Sequence, residues 1–340
     1  MPDKTRIAWI DFAKGFVMIL VVLGHVTVYG GDANKFVCVF HMPFFFITSG
    51  FLLNLNKWGG AENYKNFVSK LIKRLLLPYY LANFLWYPFL VVKEHFFGHL
   101  LKIIFYSSPI ESFLGIFIGK PILLPLGPLW FLPCLLIAEI IFIKLYNRLA
   151  KMSAEIFVLA IIFAAYTGLI LSRLGYLPLG LNVALVSQVF LLVGVLIRRY
   201  NFVERIDLKI CGLLILTLTC AFQLNKHVDM SAAVFGDPLL FYSGAVAGTL
   251  IVMKLSSLIA GGKIFSLISD CGRQSVMILI LHPLIIELFY NIFVRNKLCT
   301  LLEIYTEPLL ILCMTALGVL IPLVIAENFG RLPILKYFCA

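Results

Sequence analysis

Leu179-Gly180-Leu181-Asn182-Val183-Ala184-Leu185-Val186-Ser187-Gln188-Val189-Phe190-Leu191-Leu192-Val193-Gly194-Val195-Leu196-Ile197 is an uncharged run of nineteen residues, closed by Arg198-Arg199. A bilayer core takes about 20 apolar residues per helix, so this stretch reads as a membrane span with a basic anchor at one end. The stretch 209–224 repeats the pattern. Working outward on the same ruler, ten spans fit: 7–28, 36–54, 72–92, 128–147, 154–172, 179–197, 209–224, 238–256, 274–294 and 304–326. Between the third and fourth, 100–118 is apolar but divided by Lys102, Ser107, Ser108, Pro109, Glu111 and Ser112. It reads as an interfacial or re-entrant segment.

The composition agrees. Of 340 residues, 61% are apolar and 13% charged, and the mean hydropathy is +1.00, which excludes an ordinary soluble domain with about a quarter of its residues charged. A formal charge of +11 would suggest nucleic acid in a soluble protein. Here the cations lie between apolar runs, so nucleic acid is not an expected partner and the excess reads as topology. With the N-terminus inside, 19 of the 28 Lys and Arg fall on cytoplasmic segments and eight outside, while Lys14 lies within the first span. The expected fold is therefore an all-α integral membrane protein of about ten helices with both termini cytoplasmic. The first apolar run contains Lys14 and His25 and lacks a small-residue cleavage site, so it is expected to persist as a helix. The eight cysteines are scattered, with no CxxC, and read as packing residues.

Ionisable residues inside spans cost about 2.5–3.5 kcal/mol each at a helix centre and are functional candidates for that reason. Here they are Asp11, Lys14, His25, His41, Glu139, His282 and Glu287. Asp11 and Lys14, three apart, can neutralise each other. His25 follows Lys14 by eleven residues, close to three helical turns, which aligns cation and imidazole on one face about 16 Å apart. His41 lies about 7 Å into the second, antiparallel span, so two histidines are expected at similar depth. Imidazole takes and returns a proton near neutrality, which makes His25 and His41 candidates for proton-transfer chemistry. A metal is not expected, because no third ligand stands at suitable spacing.

Other candidates carry alternatives. Ser49-Gly50 serves close helix packing or admits a ligand. Lys73 and Arg74 are snorkelling anchors or phosphate contacts. Trp130 and Phe131, at the outer end of the fourth span, read as an aromatic belt. His282-Pro283 reads as a kink with a satisfied imidazole, and His282 joins Trp130 and Phe131 as a candidate substrate contact.

Trp9-Ile10-Asp11-Phe12-Ala13-Lys14-Gly15, Leu23-Gly24-His25, Phe40-His41-Met42-Pro43-Phe44-Phe45-Phe46 and Ser49-Gly50-Phe51-Leu52 together resemble membrane acyltransferase family 3. Within that family they look most like the fucose 4-O-acetylase-like branch. Arg74 with Pro78-Tyr79, then Pro128-Leu129-Trp130-Phe131-Leu132-Pro133 and His282-Pro283, follow in matching order. The resemblance covers the chain as one domain, 1–340. It implies a multi-pass enzyme of a bacterial-type cell (inner) membrane, in contact with membrane lipid. Such an enzyme moves acetyl from cytoplasmic acetyl-CoA to a sugar hydroxyl of a surface polysaccharide or lipid-linked glycan. The family's basic residue falls on Lys14, where many members have Arg, and its first-span histidine on His25. Lys14, Lys73 and Arg74 would then meet the phosphates of the donor, and His25 would be the general base with His41 orienting it or stabilising the oxyanion. Ser49 or a histidine would be the acyl carrier of a covalent route, and Trp130 and Phe131 would stack a sugar face. Two rivals remain open on the residues alone. One is a transporter or flippase for lipid-linked saccharide, which predicts an internal repeat that the chain lacks. The other is a receptor or scaffold with histidines used only for packing.

Overall fold

The apolar runs fold as helices, and no strand occurs among the described residues. The computed structural model describes residues 7–26, 32–58, 61–97, 108–150, 152–259, 261–290, 307–330, 332 and 335–338. In chain order the helices are α1 (Ala8–Val26), α2 (Asp32–Cys38), α3 (His41–Leu52), α4 (Leu55–Trp58), α5 (Ala61–Leu71), α6 (Leu77–Phe97), α7 (Pro109–Ile118), α8 (Phe131–Leu149) and α9 (Ala154–Ser172). There follow α10 (Leu181–Val186), α11 (Gln188–Arg199), α12 (Phe202–Arg205), α13 (Leu208–Leu224), α14 (Pro238–Leu258), α15 (Lys263–Arg273), α16 (Ser275–Tyr290) and α17 (Glu307–Phe329).

Among the described residues, six helical segments are long and apolar enough to cross a bilayer: Ala8–Val26, Asp32–Leu52, Gly127–Leu149, Ala154–Ser172, Pro238–Leu258 and Pro308–Phe329. Two bent pairs, Pro178–Val186 with Gln188–Arg199 at 50° and Lys263–Arg273 with Ser275–Phe289 at 86°, raise the number to eight if each is one span. The remaining two of the ten expected spans fall on α6 and on α13, the latter 17 residues long and about 25 Å by helical rise. The uncharged run 179–197 is thus a broken element rather than one straight helix. The interfacial or re-entrant segment expected at 100–118 is described only in part, since 100–107 lie outside the described residues. Its second half is α7, ten residues and about 15 Å, too short to cross. Ser108 and Glu111 start it with a capping box, and Gly119 ends it at φ 69.

The described residues divide into two compact units. One holds those up to His41, Val203–Asn225 and those from Asp237 onward; the other holds Met42–Phe202 and Lys226–Gly236. In lipid, helices gain little from apolar burial against each other, so close packing and hydrogen bonds hold them. The first unit shows this where α1 crosses α15. A Cβ on Gly15 would stand 1.8 Å from the Ile268 carbonyl oxygen, and one on Gly272 would stand 1.8 Å from that of Asp11. Backbone therefore lies on backbone, and beside it the Phe12 and Phe265 rings stack at 5.1 Å. In the second unit α3 crosses α11 in the same way, Gly50 against the Leu191 carbonyl and Gly194 against that of Ile47. Arg198 donates to the Phe51 carbonyl at 3.1 Å beside this crossing.

Candidate active site

In the first unit, His25 lies in the last turn of α1 and is exposed, and the ring standing against it belongs to His282 of α16. Their centroids are 5.0 Å apart and the planes tilt by 47°. His282 is fully buried, with Nδ1 2.8 Å from the Ile278 carbonyl oxygen one turn earlier. Gly318 of α17 closes over this place: a Cβ there would lie 2.9 Å from Val22 Cγ1 and 3.8 Å from His282 Cβ. Val22 precedes His25 by three residues, hence on the same face of α1.

His41 opens α3, just after a turn at Val39-Phe40 that separates it from α2. Pro43 contributes to that break, because it has no N–H to donate back to Val39. The His41 Nδ1 lies 2.8 Å from the Val37 carbonyl oxygen. A carbonyl only accepts, so Nδ1 carries the proton and Nε2 is the basic nitrogen of the neutral ring. Asn34 Nδ2 donates to the Gly24 carbonyl at 2.9 Å, which sets α2 level with the end of α1. The structure thus brings His282 against the His25 ring.

Lys14 pairs with Asp11 at 3.7 Å on α1, the mutual neutralisation that their three-residue spacing allows. Close by on α15, Asp270 pairs with Arg273. Both pairs lie by the Gly15–Gly272 crossing.

The second unit has a different centre. Glu139, halfway along α8 and only 2% exposed, accepts from Arg74 Nη2 at 2.7 Å and from Ser49 Oγ at 2.7 Å. Arg74 reaches it from a π-helical turn, Ile72–Leu76, and its own side chain is half exposed. Widened turns of this kind occur disproportionately at functional sites. A guanidinium with five N–H donors can hold Glu139 and still present donors outward. Ser49 has its hydroxyl proton on a carboxylate, an arrangement that orients the oxygen. Lys73 is exposed and lines a shallow depression of about 360 Å³ with Tyr64, Lys65, Val68, Ser69 and Ile72.

Trp130 and Phe131 are buried. Gly127–Trp130 forms a 3-10 turn leading into α8, and Trp130 meets Phe131 and Tyr176 edge-on. Phe131 packs against Phe45 and Phe46. Both rings are enclosed by these neighbours in this arrangement. Burial pushes the Tyr176 phenol well above its usual value, so it stays protonated beside them.

Among the described residues, no group of three or more His, Cys, Asp or Glu is placed to hold a metal ion. Sequence reasoning flagged Glu139 only as a costly buried carboxylate. Its partners are 65 and 90 residues away, and no periodicity signals them. His282 was legible as an intramembrane imidazole, but its pairing with His25 was not.

Several apolar helices carrying buried ionisable residues define a multi-pass membrane protein. The family model described as "Acyltransferase domain" matches residues 7–327, across both units, so the chain belongs to that family, acyltransferase family 3, and is a membrane acyltransferase. No curated protein and no solved structure matches the chain significantly.

Proposed function

We propose that this acyltransferase moves an acetyl group from cytoplasmic acetyl-CoA to a sugar hydroxyl of a surface polysaccharide or lipid-linked glycan. We place it in the fucose 4-O-acetylase-like branch, with ten spans, both termini cytoplasmic, in a bacterial-type cell membrane. The observation that carries the reading is an exposed imidazole, His25, in the last turn of α1 of a chain that belongs to an acyltransferase family.

A sugar hydroxyl attacks a thioester poorly until a base takes its proton, and His25 is that base. The hydroxyl oxygen bonds to the acetyl carbon, the carbon–sulfur bond breaks, and the proton passes through His25 to the departing thiolate. His41, with Nδ1–H committed to Val37, serves as a second proton acceptor or, once protonated, as an oxyanion donor. The donor's phosphates require cations. Lys73 and Arg74 are the candidates in one unit and Lys14 in the other. The carboxylate beside Ser49 and the carboxylate beside Lys14 each offset part of the local positive charge.

The test is NMR of surface glycan from cells with and without the gene. Loss of O-acetyl signals in its absence is the expected result; an unchanged set of all O-acyl signals overturns the proposal.

A further inference from the structure

We propose that His282 is a positioning residue for His25, fixing which of the two ring nitrogens of His25 faces the reacting hydroxyl. This rests on the reading of His25 as the base and adds a second imidazole with a defined direction of hydrogen bonding.

The argument begins with the buried ring. Nδ1 of His282 lies 2.8 Å from the Ile278 carbonyl oxygen, which can only accept, so Nδ1 holds the proton. Nε2 of the neutral ring then has a lone pair and no hydrogen. That nitrogen is fully buried and has no hydrogen-bond partner in the resting structure. A buried acceptor left unsatisfied is costly, and such groups call for an explanation in function. The neighbouring ring is His25, at a centroid separation of 5.0 Å. With the rings at this separation, a His25 N–H turned toward Nε2 would stand about 3 Å from it, the ordinary hydrogen-bond distance. Val22 and Gly318 pack beside the pair and limit other placements of the His282 ring.

Once His25 donates one N–H to His282, its other nitrogen must carry the lone pair. The chain of bonds then has one direction: the Ile278 carbonyl accepts from His282, His282 accepts from His25, and His25 accepts from the sugar hydroxyl. The hydroxyl proton moves to His25 as the oxygen bonds to the acetyl carbon. It leaves for the thiolate when the carbon–sulfur bond breaks, giving free coenzyme A thiol and restoring neutral His25. His282 keeps its own proton on Nδ1 throughout and accepts from the imidazolium of His25 while that charge exists. A base oriented by a third group follows the general logic of activated nucleophiles and bases.

Two substitutions separate positioning from packing. His282→Asn keeps a donor where Nδ1 stands, and so keeps the Ile278 bond, but removes the acceptor. His282→Gln places a carbonyl oxygen near the Nε2 position and so restores the acceptor. The full-length protein in nanodiscs is given radiolabelled acetyl-CoA, with membranes from a gene-deleted strain as the acceptor source. Positioning predicts that His282→Asn lowers kcat at least about 10-fold, inside the roughly 100- to 10,000-fold that a positioned base supplies. KM for acetyl-CoA stays within about twofold, His282→Gln recovers most of the rate, and His25→Ala with His282→Asn is no slower than His25→Ala alone. A wild-type rate in His282→Asn, the reverse order of Asn and Gln, or multiplying losses in the double variant overturns the inference. Wild-type transfer by His25→Ala instead removes the reading of His25 as base, whichever way the position 282 variants behave.

Discussion

Arg74→Met strands a carboxylate. Glu139 is 2% exposed in the middle of α8, and its two partners are Arg74 Nη2 and Ser49 Oγ, each at 2.7 Å. Breaking a buried pair by removing one member typically costs about 3–5 kcal/mol, because the remaining charge is left without compensation. Insertion scales give a similar figure, about 2.5–3.5 kcal/mol for a charge at a helix centre. The Ser49 hydroxyl stays on the carboxylate and recovers part of this, so a net loss of about 2–4 kcal/mol is expected. Arg74→Met with Glu139→Leu removes both charges and leaves only the Ser49 hydroxyl without its acceptor, so the double variant should lie within about 1 kcal/mol of wild type. The pair then shows a coupling of about 2 kcal/mol. Unfolding in mixed micelles by added SDS, followed by the fluorescence of the four tryptophans, measures all of these differences. A single variant within about 0.5 kcal/mol of wild type, or a double variant as unstable as the sum of the two singles, refutes the reasoning.

The other predictions concern packing and the donor. Gly15→Ala drives a Cβ to 1.8 Å from the Ile268 carbonyl oxygen, so α1 and α15 must separate. A loss of about 3 kcal/mol or more, at the upper end of overpacking costs, is expected in the same unfolding assay. Tyr79→Phe removes the donor to the Ile116 carbonyl at 2.6 Å, which anchors α7 to α6, and should cost about 1–3 kcal/mol. Lys73→Ala removes an exposed cation from the helical face it shares with Lys65, and should raise KM for acetyl-CoA several-fold without changing thermal stability; unchanged KM sets that contact aside.

Span positions were legible wherever apolar length alone decides them. The span expected at 154–172 is Ala154–Ser172, and 238–256 lies within Pro238–Leu258. Hydropathy carries no information about direction, so it passed over the 50° bend that Ser187 separates, with Gln188 turned inward to the Ala138 and Ala184 carbonyls. It also counted Lys263 and Arg273 as loop cations. They sit on the amphipathic α15, folded at 86° to α16 because its apolar face and Gly272 pack on α1. The individual site residues were legible as polar groups in apolar surroundings, whereas their partners were not. Which ring meets His25, and which cation meets Glu139, depends on crossings between helices far apart in sequence. Trp130 was legible as an aromatic residue at a span end, whereas the 3-10 turn that sets it edge-on to Tyr176 was not.

The most direct measurement is transfer of labelled acetyl from acetyl-CoA by the purified full-length protein and its His25→Ala variant, compared at equal folded protein. Transfer by the wild type to a glycan acceptor, with a loss of about 100-fold or more in the variant, is what a positioned base at His25 predicts. Equal transfer by the two proteins contradicts it.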